Sequence, residues 1–154
     1  MDKEQLIQNL QAQNLAIEIQ EEPSQFLTVF VDTNNFHSTM KQLKENDVFQ
    51  FNFLYNLTCV DYPEHMEMVY HLRATELDHE IVIKVKLENR DATEIETVYN
   101  IWPTAEFHER EVYDLFGVKF NNHPDLRRLL LDDDWKGHPL RKDYVDPVNM
   151  ISLS

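Results

Sequence analysis

A single cysteine, Cys59, and two glycines, Gly117 and Gly137, are all that 154 residues hold of either type. One cysteine excludes a disulfide within the chain, and any four-cysteine zinc or iron–sulfur site built from this chain alone. Free cysteines are among the most often buried residues, so Cys59 is expected to be a small core residue. Both glycines lie in the last quarter. The first 116 residues therefore cannot form a glycine-rich phosphate loop or dinucleotide fingerprint, whose turns need backbone without Cβ against the phosphates. Positive charge is also scarce: 14 Lys and Arg face 28 Asp and Glu, a net charge of −14. That balance argues against free nucleic acid and anionic lipid as partners. Apolar runs such as Leu129-Leu130-Leu131 fall far short of the ~20 residues that span a bilayer. The start, Met1-Asp2-Lys3-Glu4-Gln5, has no basic region leading into an apolar stretch, so no secretory signal is expected.

The patterning that is present fits one domain, long enough to bury a core without disulfide or metal. Leu6, Ile7 and Leu10 predict a short amphipathic helix, and Phe36, Met40 and Leu43 a second one after the N-caps at Asp32-Thr33-Asn34. Residues 16–20 alternate weakly, and 26–31 read as a strand rich in β-formers. Phe49, Phe51 and Phe53 alternate into a strand that runs to Val60. Met66, Met68, Tyr70 and Leu72 line one face of the next, and Ile81, Ile83, Val85 and Leu87 one face of the third, with charge opposite. Ile95, Val98 and Trp102 have helical spacing. Pro103 can open a further helix to about Phe116, with Gly117 just past its end. From Val118 the periodicity is lost, yet Phe120, Leu126, Leu129, Leu130, Leu131, Trp135, Leu140 and Tyr144 make the segment too apolar for a disordered tail. The expected fold is α+β, a mixed or mainly antiparallel sheet with helices on one face, over residues 1–117. Residues 118–154 would form an extended C-terminal docking arm.

Few residues suggest chemistry. His108-Glu109-Arg110-Glu111-Val112 begins like a zinc-protease helix but has Val112 where the second His must stand, so the metal reading fails. Glu111 and Asp114 share a helical face and could form an acid/base pair; a structural ion-pair network with Arg110, Arg127 or Arg128 is the alternative. His123-Pro124-Asp125-Leu126-Arg127-Arg128 offers either an interface with arginine forks or a solvated basic patch. The run from Trp135 to Tyr144 mixes aromatics and cations, as interface anchors do, or folds back on the core. His65, His71 and His79 read as ordinary surface or edge residues.

Residues 109–120 (Glu109-Arg110-Glu111-Val112-Tyr113-Asp114-Leu115-Phe116-Gly117-Val118-Lys119-Phe120), 123–130 from His123-Pro124 through Arg127-Arg128, and 134–144 around Trp135, Gly137, Pro139, Arg141, Lys142 and Asp143 resemble the signature of the C subunit of respiratory complex I (NADH:quinone oxidoreductase), the 30-kDa subunit family. Val60-Asp61-Tyr62-Pro63, Val69-Tyr70-His71-Leu72 and Ile101-Trp102-Pro103-Thr104-Ala105 resemble it too. The resemblance implies a peripheral-arm subunit on the cytoplasmic side of the inner membrane, which it meets only through the assembled complex. It would have no catalytic, cofactor or metal site of its own. It would pack on the D subunit, while partner subunits hold flavin, iron–sulfur clusters and quinone. Equivalent subunits of membrane-bound nickel–iron hydrogenases or other-donor complexes share the pattern. A free-standing enzyme using Glu111 and Asp114 is the competing class. The charged and aromatic clusters in residues 106–144 make that segment the expected main interface, so Arg127→Ala should weaken assembly with the D subunit.

Overall fold

The computed structural model describes residues 1–146; the end of the expected arm, 147–154, lies outside the described residues. Helix α1 (Lys3–Ala12) starts at a capping box. The Asp2 side chain accepts the Gln5 N–H at 2.8 Å, and the Gln5 side chain accepts that of Asp2. α1 buries Leu6 and Leu10. Strands β1 (Ile17–Ile19) and β2 (Thr28–Val31) precede α2 (Phe36–Glu45), which turns Phe36, Thr39, Met40 and Leu43 inward. Three nine-residue strands follow: β3 (Phe53–Asp61), β4 (Met66–Ala74) and β5 (His79–Leu87).

These five strands make one mixed sheet in the order β1-β2-β5-β4-β3, antiparallel except where β2 runs parallel to β5. Register sets one apolar layer: Leu57 and Cys59 sit opposite Tyr70 and Met68, which sit opposite Ile83 and Val85. All are buried, and the helices pack over this layer, Phe36 meeting Tyr70 at 5.1 Å between ring centroids. The other face carries paired charges, Lys84 with Glu67 and Arg73 with Glu80. The α+β expectation, with helices on one face of a mixed sheet, matches this architecture.

A second unit leans on the sheet through α3. Strand β6 (Glu94–Glu96), helix α3 (Ala105–Phe116) and strand β7 (Lys119–Asn121) form a small parallel β-α-β unit. α3 ends where expected: Gly117 has φ +79° and gives its N–H to Tyr113 O.

Three local expectations are corrected. Phe49 and Phe51 are both fully buried, and Gln50 between them has φ +49°. Their carbonyls bond to the His79 and Trp102 rings rather than to a strand, so β3 begins only at Phe53. The residues spaced like a helix, Ile95, Val98 and Trp102, are all buried but straddle β6 and a single turn. Side chains hold that turn: Lys44 donates to Ile101 O, and Glu109 accepts the Val98 N–H. His79 is buried against the Phe51 ring rather than lying at the surface.

Cys59 is buried in the core, and burial first, then the nearby Asp61 charge, pushes its thiol up to about 12. No helix among the described residues is long and apolar enough to cross a membrane.

Candidate functional site

An irregular chain that returns over a helix leaves backbone N–H groups needing acceptors. α3 buries three charged side chains: Glu109 and Asp114 supply acceptors, and Arg110 supplies donors for carbonyls of the returning chain. Oδ2 of Asp114 accepts three consecutive backbone N–H groups, from Leu129, Leu130 and Leu131, at 3.2, 2.7 and 3.0 Å. Its Oδ1 lies 2.8 Å from Nη1 of Arg128. Nη2 of Arg128 then donates to the carbonyls of Trp135 and Gly137, both at 2.8 Å. Arg110 caps the carbonyls of Arg127 and Arg128 at 3.1 and 2.9 Å. Burial acting alone would raise the Asp114 carboxyl. Arg128 and the N–H groups of residues 131, 130 and 129 outweigh it and hold the carboxyl below the usual aspartate range.

Further along, His138 donates from Nδ1 to Asp114 O at 3.0 Å. The last described stretch is tied to the end of β3. Asp61 pairs with Arg90 at 2.9 Å and accepts the Lys142 N–H at 2.8 Å. Arg141 donates to Arg90 O and grips Asp143 through two bonds of 2.9 and 3.0 Å. Gly137 has φ +84°, and a Cβ there would lie 3.0 Å from the Tyr144 ring. Glu109, one turn before Asp114, accepts the Val98 N–H at 2.8 Å and the Thr97 hydroxyl, with His123 at 3.7 Å.

The residues singled out from sequence thus divide in two. Glu109, Arg110, Asp114, Gly117, His123, Arg128, Gly137, Arg141 and Asp143 hold residues 123–143 against the chain's own α3 and β3. Glu111, Pro124, Arg127, Trp135 and Lys142 are exposed, and Tyr113, Phe116 and Pro139 are half-buried. Among the described residues, the Arg127 side chain bonds its neighbour Asp125. Large apolar side chains crowd the outside of the same region: Phe107 is 57% exposed, Leu130 63% and Leu140 52%, with Leu129, Trp135 and Val145 also exposed. Glu111 faces solvent while Asp114 is buried with its oxygens bonded, so the two carboxylates share no cleft. Among the described residues, no group of three or more His, Cys, Asp and Glu is placed to hold a metal ion.

Sequence reasoning missed Phe107, Thr97, Arg90 and the role of Asp61. Asp61 stood in a recognisable Val60–Pro63 motif that gave it no partner, and Arg90 carried no local signal.

Residues 29–148 match the family model for the respiratory-chain NADH dehydrogenase 30 Kd subunit. The C subunit of NADH-quinone oxidoreductase from Moorella thermoacetica is 48% identical over 116 residues, 74% of this chain and 76% of that protein. The combined C/D subunit from Phocaeicola vulgatus is 41% identical over 125 residues, 80% of this chain. The chain spans only 24% of that C/D protein's length, and 58% of the C subunit from Rhodopseudomonas palustris, to which it is 40% identical over 77% of its own length. Among solved structures, a chain of the membrane-bound sulfane sulfur reductase, an archaeal respiratory membrane complex, superposes with TM-score 0.79 at 27% identity. The match covers 94% of this chain and 86% of that one.

Proposed function

The chain belongs to the 30-kDa subunit family of respiratory-chain NADH dehydrogenase, and from that premise we propose that it is a non-catalytic, peripheral-arm subunit of a proton-translocating NADH:quinone oxidoreductase that packs on the quinone-site D subunit. The observation that carries the reading is the division of residues 106–145. The buried charges of Arg110 and Asp114, together with Arg128, are spent internally, fixing the backbone, while Phe107, Leu129, Leu130, Trp135, Leu140 and Val145 are left facing out. A surface with rigid backbone and protruding large apolar anchors is what a permanent subunit interface requires. Relatives named as combined C/D subunits, in which this region makes up about a quarter of the length, support D as the neighbour. On this reading electrons pass through flavin, iron–sulfur clusters and quinone held by partner subunits, and the chain sits on the cytoplasmic side of the membrane through the assembly.

The likeness to a chain of the sulfane sulfur reductase supports a second reading, an equivalent subunit in a respiratory complex with another electron donor. The assembled complex separates the two: quinone reduction driven by NADH belongs only to the first.

The test of docking is the double variant Leu130→Asp, Leu140→Asp. Both side chains are exposed, so the isolated chain should fold with an unchanged thermal midpoint. In cells it should no longer co-purify with the D subunit, and membranes should lose NADH-dependent quinone reduction. Normal co-purification with full activity would sink the docking surface.

A further inference from the structure

Glu109 is a fully buried carboxyl with no Lys or Arg among its partners in the described residues. Its neighbours come from four elements. Just after β6, the Val98 N–H and the Thr97 hydroxyl bond its two oxygens, and Glu96 at the end of β6 adds like charge. After β7, the buried ring of His123 lies 3.7 Å away. From β4, the fully buried Tyr70 feels the Glu109 charge and has no hydrogen-bond partner for its hydroxyl. On α3 itself, Glu106 contributes its carbonyl to His123, and Arg110 is turned away to the carbonyls of residues 127 and 128.

His123 cannot serve as the missing cation in this arrangement. Its Nδ1 accepts the Asp125 N–H at 3.0 Å, and the one remaining ring proton, on Nε2, goes to Glu106 O at 3.1 Å. Thr97, by contrast, can adapt. Its oxygen already accepts the Tyr99 N–H at 3.1 Å, leaving its own proton free to point at Glu109. If Glu109 carries a proton, the Thr97 oxygen can accept it instead, and the Val98 N–H still has its acceptor.

We propose that Glu109, Thr97 and His123 form a proton-operated latch where the C-terminal segment leaves the domain, closed when Glu109 carries its proton and loosened when it gives it up. The ionised form strands a buried charge near the Glu96 carboxylate, with no Lys or Arg among its described hydrogen-bond partners. Opening the contact between α3 and residues 97–98 and 123 admits water to it. The same movement releases the His123–Asp125 bond at the root of the segment. Burial pushes the Glu109 carboxyl up to about 7, against the Thr97 and Val98 bonds that pull it down, so the latch operates near neutral pH. Its stability is fully present below the ordinary glutamate range and is lost as pH rises through about 7.

Amide exchange on the full-length chain tests this. Protection factors, in which the intrinsic pH effect is divided out, should fall roughly tenfold at Val98, Tyr99 and Asp125 between pH 6 and pH 8. In Glu109→Gln they should stay high and level, because the amide accepts from Val98, donates to Thr97 and does not titrate. Level protection in the native chain, or the same tenfold fall in Glu109→Gln, overturns the latch. If that variant does not fold, the carboxyl carbon shift of Glu109 in the native chain decides: a midpoint near 7 supports the latch, and one in the ordinary glutamate range overturns it.

Discussion

Asp114 holds four consecutive residues of the C-terminal segment, because one carboxylate answers three neighbouring N–H groups and a guanidinium. Asparagine at 114 keeps one acceptor oxygen but presents an NH2 to a site made only of donors. It also leaves Arg128 without its charge partner. Asp114→Asn should therefore cost about 3–5 kcal/mol, read from the midpoint of denaturant unfolding at constant slope. A cost under about 1 kcal/mol would mean that the segment is held from elsewhere. The pH dependence has a definite sign. The Asp114 carboxyl sits below the usual range, so its contribution is present above that range and lost as acid titrates it. Glu109, one turn earlier, contributes with the opposite sign and weakens the fold as pH rises through about 7. Two carboxyls on one helix thus bound the stability of this unit from both sides, and the unfolding free energy should peak in mildly acidic solution.

Helix α3 was the most readable element, because Pro103 and Gly117 are backbone signals that act whatever the tertiary setting. Gly117 has a second duty that spacing does not reveal. A Cβ there would lie 2.6 Å from Cδ2 of His138, whose ring is pinned to the carbonyl of Asp114. Gly117→Ala should cost about 1–2 kcal/mol for the left-handed backbone alone, and more as His138 is displaced. A lowered thermal midpoint together with loss of the His138–Tyr113 ring contact in NMR would show both parts; a midpoint equal to the native one would remove the argument. Where long-range contacts set the backbone, the sequence misled. Ile95, Val98 and Trp102 announce burial correctly, but the turn they occupy depends on Lys44, about fifty residues earlier, and on Glu109 after it. Phe49 and Phe51 alternate like strand residues, yet both point inward because side chains capture their carbonyls. The site divides the same way. Its charged residues could be named from the motif, while their partners, backbone N–H groups of an aperiodic segment and the distant pair Asp61 and Arg90, follow no local period.

At the scale of the whole molecule, charge and apolar exposure separate. Residues 105–154 carry ten acids and seven bases, leaving 18 acids and seven bases upstream, so the acidity belongs mainly to the sheet domain. The nearly balanced C-terminal part is where large apolar side chains protrude. This part is not a simple appendage. Val118 and Phe120 are buried in the main core, and β7 pairs with β6, whereas beyond Asn121 the described chain is held mainly by polar contacts, with Leu126 half-buried against the core. Two shortened chains locate where the arm starts. One ending at Asn122 keeps β7 and should unfold cooperatively, with a lower midpoint than the full chain because the Asp114 and Asp61 contacts are gone. One ending at Gly117 loses Val118 and Phe120, about 1.5–3 kcal/mol for each buried side chain. It also loses the partner of β6. Set against the 5–15 kcal/mol by which a domain of this size is stable, that loss should leave the β-α-β unit unformed and broaden or abolish the thermal transition. A chain ending at Gly117 that melts as sharply and as high as the one ending at Asn122 would instead place the start of the arm directly after α3, with β7 as part of it.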